Sequence, residues 1–247
     1  MNEAEGGIIT NSIDTTSNTS GSFSTLSTQW APIGHPVPFA LRLSDPIALP
    51  KSTVAFTNPV SLLSSFTLSF WAQPAAAHQI DKPSLTGTAG SIGQKYVVGP
   101  CSAVAGGESC VAISVGSNGV SIYQYEGLGA IFSPLLVLPA SLADWVFITV
   151  TVGNNRPSIS INGSTFTPGL QASSALRLNL ETLGSAAYSS FEGLLSRLSV
   201  FNSTLTEAQT MQYFSAIYPI PRIGLFAPLY LTMTWAETHP PSCLATP

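Results

Sequence analysis

From residue 38 onward, apolar and polar residues alternate along the chain in short runs. Phe66, Leu68 and Phe70 are separated by Thr67 and Ser69, and Val or Ile occupies every second position of residues 146–152. A period of two, in runs rich in β-branched and aromatic residues, is typical of strands with one buried face. Similar runs occur at residues 39–43, 111–115, 120–125, 159–161 and 198–200. The pattern therefore predicts many short strands.

Turn-forming residues separate these runs. Asn118-Gly119 gives the two-residue hairpin signal between two of them. Residues 153–157 (Gly-Asn-Asn-Arg-Pro) and Asn162-Gly163 predict two further turns. Many short strands joined by tight turns indicate a sandwich or a barrel.

One segment has helical spacing instead. Residues 207–214 follow Thr204 and Thr206, and either threonine could supply the N-terminal cap. We therefore expect a single short helix after the last strand of the β domain.

The chain divides into three parts by composition. Residues 1–37 form a Ser/Thr-rich arm, residues 38–217 carry the strand pattern, and residues 218–247 form an apolar extension. Leu229, Leu231, Met233 and Trp235 alternate with Tyr and Thr, which predicts a strand in the extension. That strand could pair with the arm of the same chain or add to a neighbouring subunit.

The charge content excludes several classes of partner. Only 8% of the 247 residues are charged, and the formal net charge is −4, whereas ordinary soluble proteins have about 25% charged residues. The eight Lys and Arg residues are scattered, so we expect no binding of nucleic acid or of an anionic membrane surface. No apolar run reaches the ~20 residues of a transmembrane helix, and we expect no membrane span.

Cysteines and sequons suggest an exterior location. Cys101 and Cys110 flank a flexible eight-residue loop and can close it as a disulfide, the alternative being two unrelated thiols. Cys243 is left over, either free or paired with another chain. Asn18, Asn162 and Asn202 begin glycosylation sequons in predicted loops or turns. Together these features predict an extracellular or cell-surface protein.

Several stretches, in order, resemble the concanavalin A-like, laminin G-like (LamG) domains. The matching stretches are residues 39–43, 47–50, 66–74, 145–151, 158–163, 191–202 and 205–209. Residues 66–74 (Phe-Thr-Leu-Ser-Phe-Trp-Ala-Gln-Pro) resemble the family's "Phe-Thr-Ile-Ser-x-Trp-Val-x-Pro" strand, and 191–202 resemble its "Phe-x-Gly-x-Ile-Asp-Glu-Val-Arg-Ile-Tyr-Asn" strand. The resemblance covers about residues 38–216. It implies an all-β fold, a two-sheet antiparallel jelly-roll sandwich of the concanavalin A-like kind with one short C-terminal helix.

The departures from the family pattern concern metal binding. Ser196 and Arg197 replace the family's Asp-Glu pair, and Asn162 replaces the Asp of its "Asp-Gly" turn. Ca²⁺ takes six to eight oxygen ligands, usually with several carboxylates. The acids of the domain are isolated in sequence: Asp45, Asp81, Glu108, Glu126, Asp144, Glu181 and Glu192. We expect no metal and no cofactor, with calcium kept as a minor alternative.

Catalytic signatures are missing from the sequence. Glycosidases of this fold class need two closely placed acids, and no such cluster occurs. No Gly-x-Ser-x-Gly elbow, zinc spacing or phosphate-binding loop is present. A Ser-His-Asp triad would need His35, His78 or His239, and His35 and His78 are interpreted as exposed loop residues. We therefore predict that the chain is not an enzyme; a glycosidase of this fold remains the least favoured hypothesis.

Aromatic and amide side chains are the candidate ligand contacts. Trp71 alternates with the expected core residues of its strand, and Tyr123 and Tyr125 alternate with Val120 and Ile122. Sugars stack on aromatic rings while amides hydrogen bond to their hydroxyls, which adds Gln124 to the candidates. The alternative is that these side chains only pack.

Two functions follow from these observations. The first is a non-catalytic extracellular recognition module that binds glycans or extracellular proteins, and it rests on the resemblance. The alternative is a structural subunit of an extracellular fibre, coat or surface appendage that assembles through its terminal extensions. The low charge, the apolar residues 218–247 and Cys243 favour this alternative.

Overall fold

A computed structural model describes residues 8–11, 21–23, 29–32, 39–44, 53–83, 89–101, 108–127, 131–185, 187–217 and 233–234. The described chain forms strands in two sheets and one helix. The strands are β1 (Ile8–Asn11), β2 (Gly21–Phe23), β3 (Gln29–Pro32), β4 (Phe39–Leu43), β5 (Val54–Leu63), β6 (Phe66–Pro74), β7 (Tyr96–Val98), β8 (Glu108–Gly116), β9 (Gly119–Glu126), β10 (Ile131–Pro139), β11 (Val146–Gly153), β12 (Arg156–Ile161), β13 (Thr167–Pro168), β14 (Ala175–Leu183), β15 (Gly193–Phe201) and β16 (Met233–Thr234). The helix α1 spans Glu207–Ile217.

One sheet has nine strands in the order β10-β9-β8-β7-β14-β5-β2-β1-β16. The other has seven, in the order β13-β12-β11-β6-β15-β4-β3. Strand neighbours run antiparallel except where β14 also pairs with β8 in parallel, with Arg177 opposite Cys110. The all-β, two-sheet antiparallel sandwich with one short C-terminal helix is thus confirmed, with this parallel pairing as an addition.

The main core lies between the two sheets. Phe66, Leu68 and Phe70 of β6 are buried in it, as the alternation predicts. Val111 and Ile113 of β8 face them from the nine-stranded sheet. Burial of such side chains stabilises by about 1.5–3 kcal/mol each, which explains why the period-two pattern determines which face of each strand points inward.

Tight turns connect the strands where the sequence predicts them. Gly116 pairs with Gly119, so the turn of the β8–β9 hairpin consists of Ser117 and Asn118, one residue earlier than Asn118-Gly119. Asn154 and Asn155 form the β11–β12 turn with φ of 51° and 61°. Asn tolerates this left-handed conformation better than most residues, because its side chain hydrogen bonds locally.

The helix begins with a reciprocal cap. Thr206 Oγ1 accepts a hydrogen bond from Gln209 N (3.2 Å), and Gln209 Oε1 accepts one from Thr206 N (2.9 Å). This arrangement satisfies two backbone donors at the helix start. Thr204, the other predicted cap, instead donates to Val152 O (2.9 Å) and fixes the preceding segment to the end of β11.

Both terminal parts of the chain join the sheets. β1 and β2 belong to the nine-stranded sheet and β3 to the seven-stranded sheet. Met233–Thr234 pairs with β1, with Thr234 opposite Thr10. The extension therefore meets the arm of the same chain, the first of the two predicted alternatives, although Leu229, Leu231 and Trp235 lie outside the described residues. The division at residues 37 and 217 stays a prediction.

Candidate functional site

Trp71 lies on the outer face of the seven-stranded sheet, on the side of β6 opposite the main core. Its side chain is only 2% exposed because α1 covers it. Its ring centroid is 5.5 Å from that of Phe147 and 5.8 Å from that of Phe214 in the helix. Trp71 therefore holds the helix against the sheet.

Tyr123 and Tyr125 lie on the outer face of the nine-stranded sheet, as their alternation with Val120 and Ile122 predicts. They belong to a second hydrophobic cluster, which we call the tyrosine cluster: Tyr96, Cys101, Cys110, Ala112, Tyr123, Tyr125, Phe132 and the half-buried Tyr188. Tyr123 is fully buried and Tyr125 is 8% exposed. Burial raises the pKa of Tyr125 to about 12 and that of Tyr123 further, so both hydroxyls stay protonated and can donate hydrogen bonds at neutral pH.

The disulfide joins this cluster. Cys101 and Cys110 are bonded, which confirms the predicted pairing, and both are buried. Cys110 is opposite Tyr125 in the β8–β9 pairing. The bond therefore ties the chain after β7 to the strand that supports the tyrosines. Cys243 lies outside the described residues.

Gln124 points to the opposite face from the two tyrosines, at one end of the sandwich. Its Nε2 donates to Ser173 Oγ (2.6 Å) and Ser174 Oγ (3.0 Å), and its Oε1 accepts from Ser173 N (3.0 Å). Glu126 Oε1 also lies 3.1 Å from Nε2, so three acceptors share the two hydrogens of this amide nitrogen. With 1% exposure, Gln124 closes the end of the sandwich by holding the loop before β14.

Ligand contact by Trp71, Tyr123, Gln124 and Tyr125 stays a prediction. Their burial favours the packing alternative, in which these four side chains support nearby surfaces without touching a ligand.

A strap covers the tyrosine cluster and the adjoining strands; it consists of residues 75–83 and 89–95. Ser117 N donates to Ala76 O (2.9 Å). His78 N donates to Asn118 Oδ1 (3.0 Å), and Asn118 Nδ2 donates back to His78 O (2.9 Å). These bonds fix the strap to the β8–β9 hairpin.

Asp81 is the polar centre beneath the strap. Its Oδ2 accepts hydrogen bonds from Gly90 N (2.8 Å), Gln94 Nε2 (3.0 Å) and Tyr123 Oη (2.8 Å). A buried carboxylate is tolerated when several donors satisfy it. Asp81 thus organises the strap and explains why the hydroxyl of Tyr123 is engaged internally.

His78 corrects the interpretation of an exposed loop histidine, because it is only 4% exposed. Its Nδ1 lies 2.9 Å from Ser114 Oγ. Burial lowers the pKa of His78 to about 4, and the nearby negative charge of Asp81 offsets part of this shift. The ring is therefore neutral at pH 7. His35 and His239 lie outside the described residues.

A more open surface lies on the same outer face, on β5, β8 and β14. We call it the Arg177 face: Ser61, Leu63, Glu108, Arg177, Asn179 and Glu181. Arg177 donates from Nε to Glu108 Oε2 (2.7 Å) and from Nη1 to Ser61 Oγ (2.7 Å). Asn179 Nδ2 donates to Glu181 Oε1 (2.7 Å). The side chains of Arg177 and Glu108 are 30% and 20% exposed, and Leu63 is 45% exposed.

Strand register connects this face to the tyrosine cluster. Arg177 is opposite Leu63 on one side and Cys110 on the other. Cys110 is opposite Tyr125. Since neighbouring strands lie about 4.8 Å apart, the backbones of Tyr125 and Arg177 are separated by roughly 10 Å. The buried tyrosines thus lie two strands away from the more exposed polar side chains of the Arg177 face.

The sequence contained a signal for this face that our strand assignments omitted. In residues 176–181, Leu alternates with Arg177, Asn179 and Glu181. The three leucines are buried in the main core, whereas the polar residues are half-buried on the other side. Two charged residues so close together are conspicuous in a chain with 8% charged residues.

The side chains of the Arg177 face offer hydrogen-bonding groups. In the described ranges, no three His, Cys, Asp or Glu side chains gather where they could hold a metal ion. On the Arg177 face, Glu108 is in register with Ala175, six residues before Glu181. That offset corresponds to about 20 Å along the strand, well beyond the ~5–9.5 Å between the carboxyl groups of glycosidases.

None of the helical structure in the described ranges is both long and apolar enough to cross a membrane.

Two of the three predicted glycosylation sequons lie in the described ranges. Asn162 and Asn202 are exposed, and Asn162 Oδ1 accepts a hydrogen bond from Phe147 N (2.8 Å). Asn18 lies outside the described residues.

No protein-family model matches the chain, and no curated protein matches it. Solved structures do. The binding domain of botulinum neurotoxin DC, in complex with SialylT, aligns with a TM-score of 0.57 at 14% identity, over 86% of this chain and 51% of the solved chain. The ligand-binding domain of botulinum neurotoxin serotype D, in complex with N-acetylneuraminic acid, gives 0.52 at 10% identity, over 85% and 50%.

The binding domain of Paraclostridial Mosquitocidal Protein 1 also aligns, with a TM-score of 0.49 at 15% identity, over 84% of this chain and 51% of the solved chain. This chain spans about half the length of the toxin domains that it matches. At such low identity the two botulinum toxin domains show a shared β-sandwich fold.

Proposed function

We propose that this chain is a non-catalytic extracellular recognition module that binds glycans through the Arg177 face. The observation that carries the proposal is the half-exposed set of hydrogen-bonding side chains on the sheet, next to the exposed Leu63 opposite Arg177. Glycan sites combine such polar groups with apolar surface for the sugar rings. The shared fold with toxin domains solved in complex with SialylT and N-acetylneuraminic acid adds an analogy of fold.

The sheet beneath the proposed site is well supported. Arg177 and Asn179 alternate with leucines that are fully buried in the main core. The tyrosine cluster and its disulfide brace the neighbouring strands. Such packing holds the polar groups in place before a ligand arrives, which reduces the ordering entropy that binding must overcome.

An extracellular location is part of the proposal. The Cys101–Cys110 disulfide and the exposed sequon residues Asn162 and Asn202 support it, because stable disulfides and N-glycans belong to oxidising, secretory environments. Laminin G-like membership is also a proposal. It draws on the sequence resemblance and on the sandwich fold.

The test is a glycan array probed with the intact chain, together with two variants. Arg177→Gln removes the guanidinium from the proposed site. Arg42→Gln is the matched control, since Arg42 is exposed on β4 of the other sheet. We expect specific signals from the unaltered chain and from Arg42→Gln, and at least a tenfold loss for Arg177→Gln, since a charged hydrogen bond contributes roughly 1.5–3 kcal/mol. An array without any specific signal would refute glycan recognition.

Two controls make the result interpretable. Thermal unfolding of each variant shows whether Arg177→Gln still folds, and Asn179→Ala tests the same face without breaking the ion pair. If no glycan on the array gives a signal while an extracellular protein binds through this face, the module recognises proteins instead of glycans.

The structural-subunit alternative has its own supporting observation. Only 8% of the residues are charged, and Ile92 in the strap is 77% exposed. An apolar, weakly charged surface favours association with other subunits. The solution mass of the intact chain distinguishes the two functions: a stable polymer that dissociates when residues 218–247 are removed would favour a building block, and a monomer would favour the recognition module.

A further inference from the structure

We infer that α1 and the seven-stranded sheet enclose a binding site for one ordered water molecule, formed by the hydroxyl groups of Ser69, Thr149 and Thr210. The site lies on the other sheet from the Arg177 face. The inference therefore goes beyond the proposed function and does not depend on it.

Three buried hydroxyl groups beneath α1 carry the inference. The side-chain oxygens of Ser69, Thr149 and Thr210 are shielded from solvent and make no hydrogen bond to any residue that the structure describes. In the unfolded chain each of these hydroxyls bonds to water, so burying one without a partner is costly. Three such groups in one place indicate a shared partner that lies between them.

Two of the hydroxyls lie side by side on the sheet. Ser69 on β6 is directly opposite Thr149 on β11, which places their Cβ atoms about 4.5–5.5 Å apart. The next hydroxyls in the same row are already engaged: Ser199 lies 2.6 Å from Tyr213 Oη, and Ser160 donates to a backbone oxygen at 2.6 Å. The unpaired hydroxyls are thus the two in the middle of a row that crosses four strands.

The helix is attached to β6 at two points. Just before α1, Leu205 N donates to Thr67 Oγ1 at 2.9 Å. Near the other end of α1, the ring centroid of Phe214 is 5.8 Å from that of Trp71. The helix therefore runs along β6 in the direction of the strand, above the polar row.

Thr210 lies between these two attachments and faces the sheet, since it is buried. It comes one helical turn before Phe214, a distance of about 6 Å along the helix. Ser69 comes two positions before Trp71, a distance of about 7 Å along the strand. Because the two advances match, Thr210 lies above the pair of Ser69 and Thr149.

The size and chemistry of this layer fit water. The rings of Trp71, Phe147 and Phe214 pack together in the adjoining layer and keep the helix at ring distance from the sheet, whereas the hydroxyl layer contains only small side chains. Small side chains at that separation leave room for about one water molecule. Water has two donors and two acceptors, and a buried water typically makes about three hydrogen bonds, one for each hydroxyl here.

The sign of a stability change tests the site. Thr210→Val keeps the shape of the side chain, barely alters helix propensity and removes the hydroxyl. If the hydroxyl binds the water, we expect Tm to fall by about 2–4 °C. If the hydroxyl were unpaired, the same substitution would remove an unsatisfied polar group and raise Tm.

A second variant and a control accompany this measurement. Thr149→Val should also lower Tm, which keeps the test valid if Thr210→Val folds poorly. Thr167→Val is the matched control, because Thr167 is exposed on β13, and it should shift Tm by at most about 1 °C. A rise in Tm for either buried variant would overturn the inference.

The double variant shows whether the hydroxyls share one water. Once Thr210→Val has released the water, the hydroxyl of Thr149 has already lost its partner. Adding Thr149→Val should then lower Tm little further. Losses that add in full would assign the two hydroxyls to separate partners and overturn the shared site.

A high-resolution crystal structure of the intact chain locates the molecule directly. We expect one water oxygen at about 2.7–3.2 Å from at least two of the three hydroxyl oxygens, and no such water in crystals of Thr210→Val. Hydroxyls that bond directly to one another, with no water between them, would overturn the inference. Each of these outcomes leaves the glycan-array test of the Arg177 face unaffected.

Discussion

Arg177 on β14 and Glu108 on β8 form an ion pair, with Nε 2.7 Å from Oε2, at the point where these two strands run parallel. The residues are 69 positions apart in the chain. Their meeting creates the polar surface on which the proposed function depends, and it also joins two distant segments of the nine-stranded sheet.

The stability of this pair can be measured directly. In a double-mutant cycle with Arg177→Gln and Glu108→Gln, we expect a coupling free energy of about 0.5–1 kcal/mol, since the pair is half-exposed and solvent screens it. Urea unfolding at low and high salt gives the values, and the coupling should shrink at high salt. A coupling free energy above ~2 kcal/mol would show that solvent does not screen the Arg177–Glu108 pair and that the pair contributes strongly to stability.

The disulfide should contribute substantially to stability. Cys101 and Cys110 are nine positions apart, with eight residues between them, and closing a loop of that length is worth about 2.6 kcal/mol in the chain-entropy model. Replacing both cysteines with alanine should lower the free energy of unfolding by about 2–3 kcal/mol in urea titrations. Cys243→Ala is the control and should change it little; an equal loss there would point to a second role for Cys243.

Stability should fall as the pH drops from 7 towards 4. His78 has a pKa of about 4 in the folded chain against 6.5 ordinarily, so the unfolded chain binds the proton first throughout that interval. The contribution of the neutral His78 to the free energy of unfolding is complete above about pH 6.5. It is lost as the pH falls, and near pH 4 the free energy of unfolding is lower by on the order of 3 kcal/mol.

Urea midpoints measured between pH 7 and 5 test this dependence before the carboxylates titrate. His78→Asn removes the titrating ring. We expect the urea midpoint of this variant to depend less on pH, although the variant is less stable overall. An unchanged slope in His78→Asn would assign the pH dependence to other groups.

Gly193 should not tolerate a side chain. It has a φ of 145°, and a Cβ atom at this position would collide with the backbone oxygen of Gln73 on β6. Gly193→Ala should therefore lower the free energy of unfolding by at least ~2 kcal/mol, from conformational strain and the clash together. Thermal unfolding gives the loss. Gly153→Ala, where the nearest neighbour is the side chain of Thr204 at 3.2 Å, is the milder comparison.

Expression in a eukaryotic secretory host should place N-glycans on Asn162 and Asn202, since both are exposed in the folded chain. Mass spectrometry of the peptides, with and without enzymatic deglycosylation, locates the sugars. Asn162→Gln should remove one glycan and weaken the turn, because Asn162 Oδ1 also accepts a hydrogen bond from Phe147 N. Unmodified asparagines at both positions, in protein recovered from the medium of that host, would show that the folded chain does not use these sequons.

The alternation of apolar residues was sufficient to predict the strands that line the main core. Phe66, Leu68 and Phe70 face inward because only one of the two faces of a strand can be buried in a two-sheet core. The helix start was predictable to within Thr204 or Thr206, and the β11–β12 turn at Asn154 and Asn155 was predictable too, since both depend on neighbouring residues.

The tertiary structure decided what covers the outer faces. Trp71 and Tyr123 lie on the outer faces of their sheets, as the alternation predicts. However, α1 buries Trp71 and the strap buries Tyr123. Alternation reports which side of a strand a residue occupies, but a second covering layer comes from segments far away in sequence. For the same reason His78, in a loop without a periodic pattern, proved to be buried.

By itself, then, the amino-acid sequence determined the all-β class, the inward faces of the recognised strands and the local turns, because each follows from contacts among residues near in the chain or from a repeating period. The choice of a two-sheet sandwich over a barrel came from the family resemblance, and the Cys101–Cys110 pairing was one of two alternatives until the folded chain showed the bond. The Arg177 face required the folded chain. Glu108, Ser61 and Arg177 come from three separate segments, and only the pairing of β8, β14 and β5 brings their side chains within hydrogen-bonding distance.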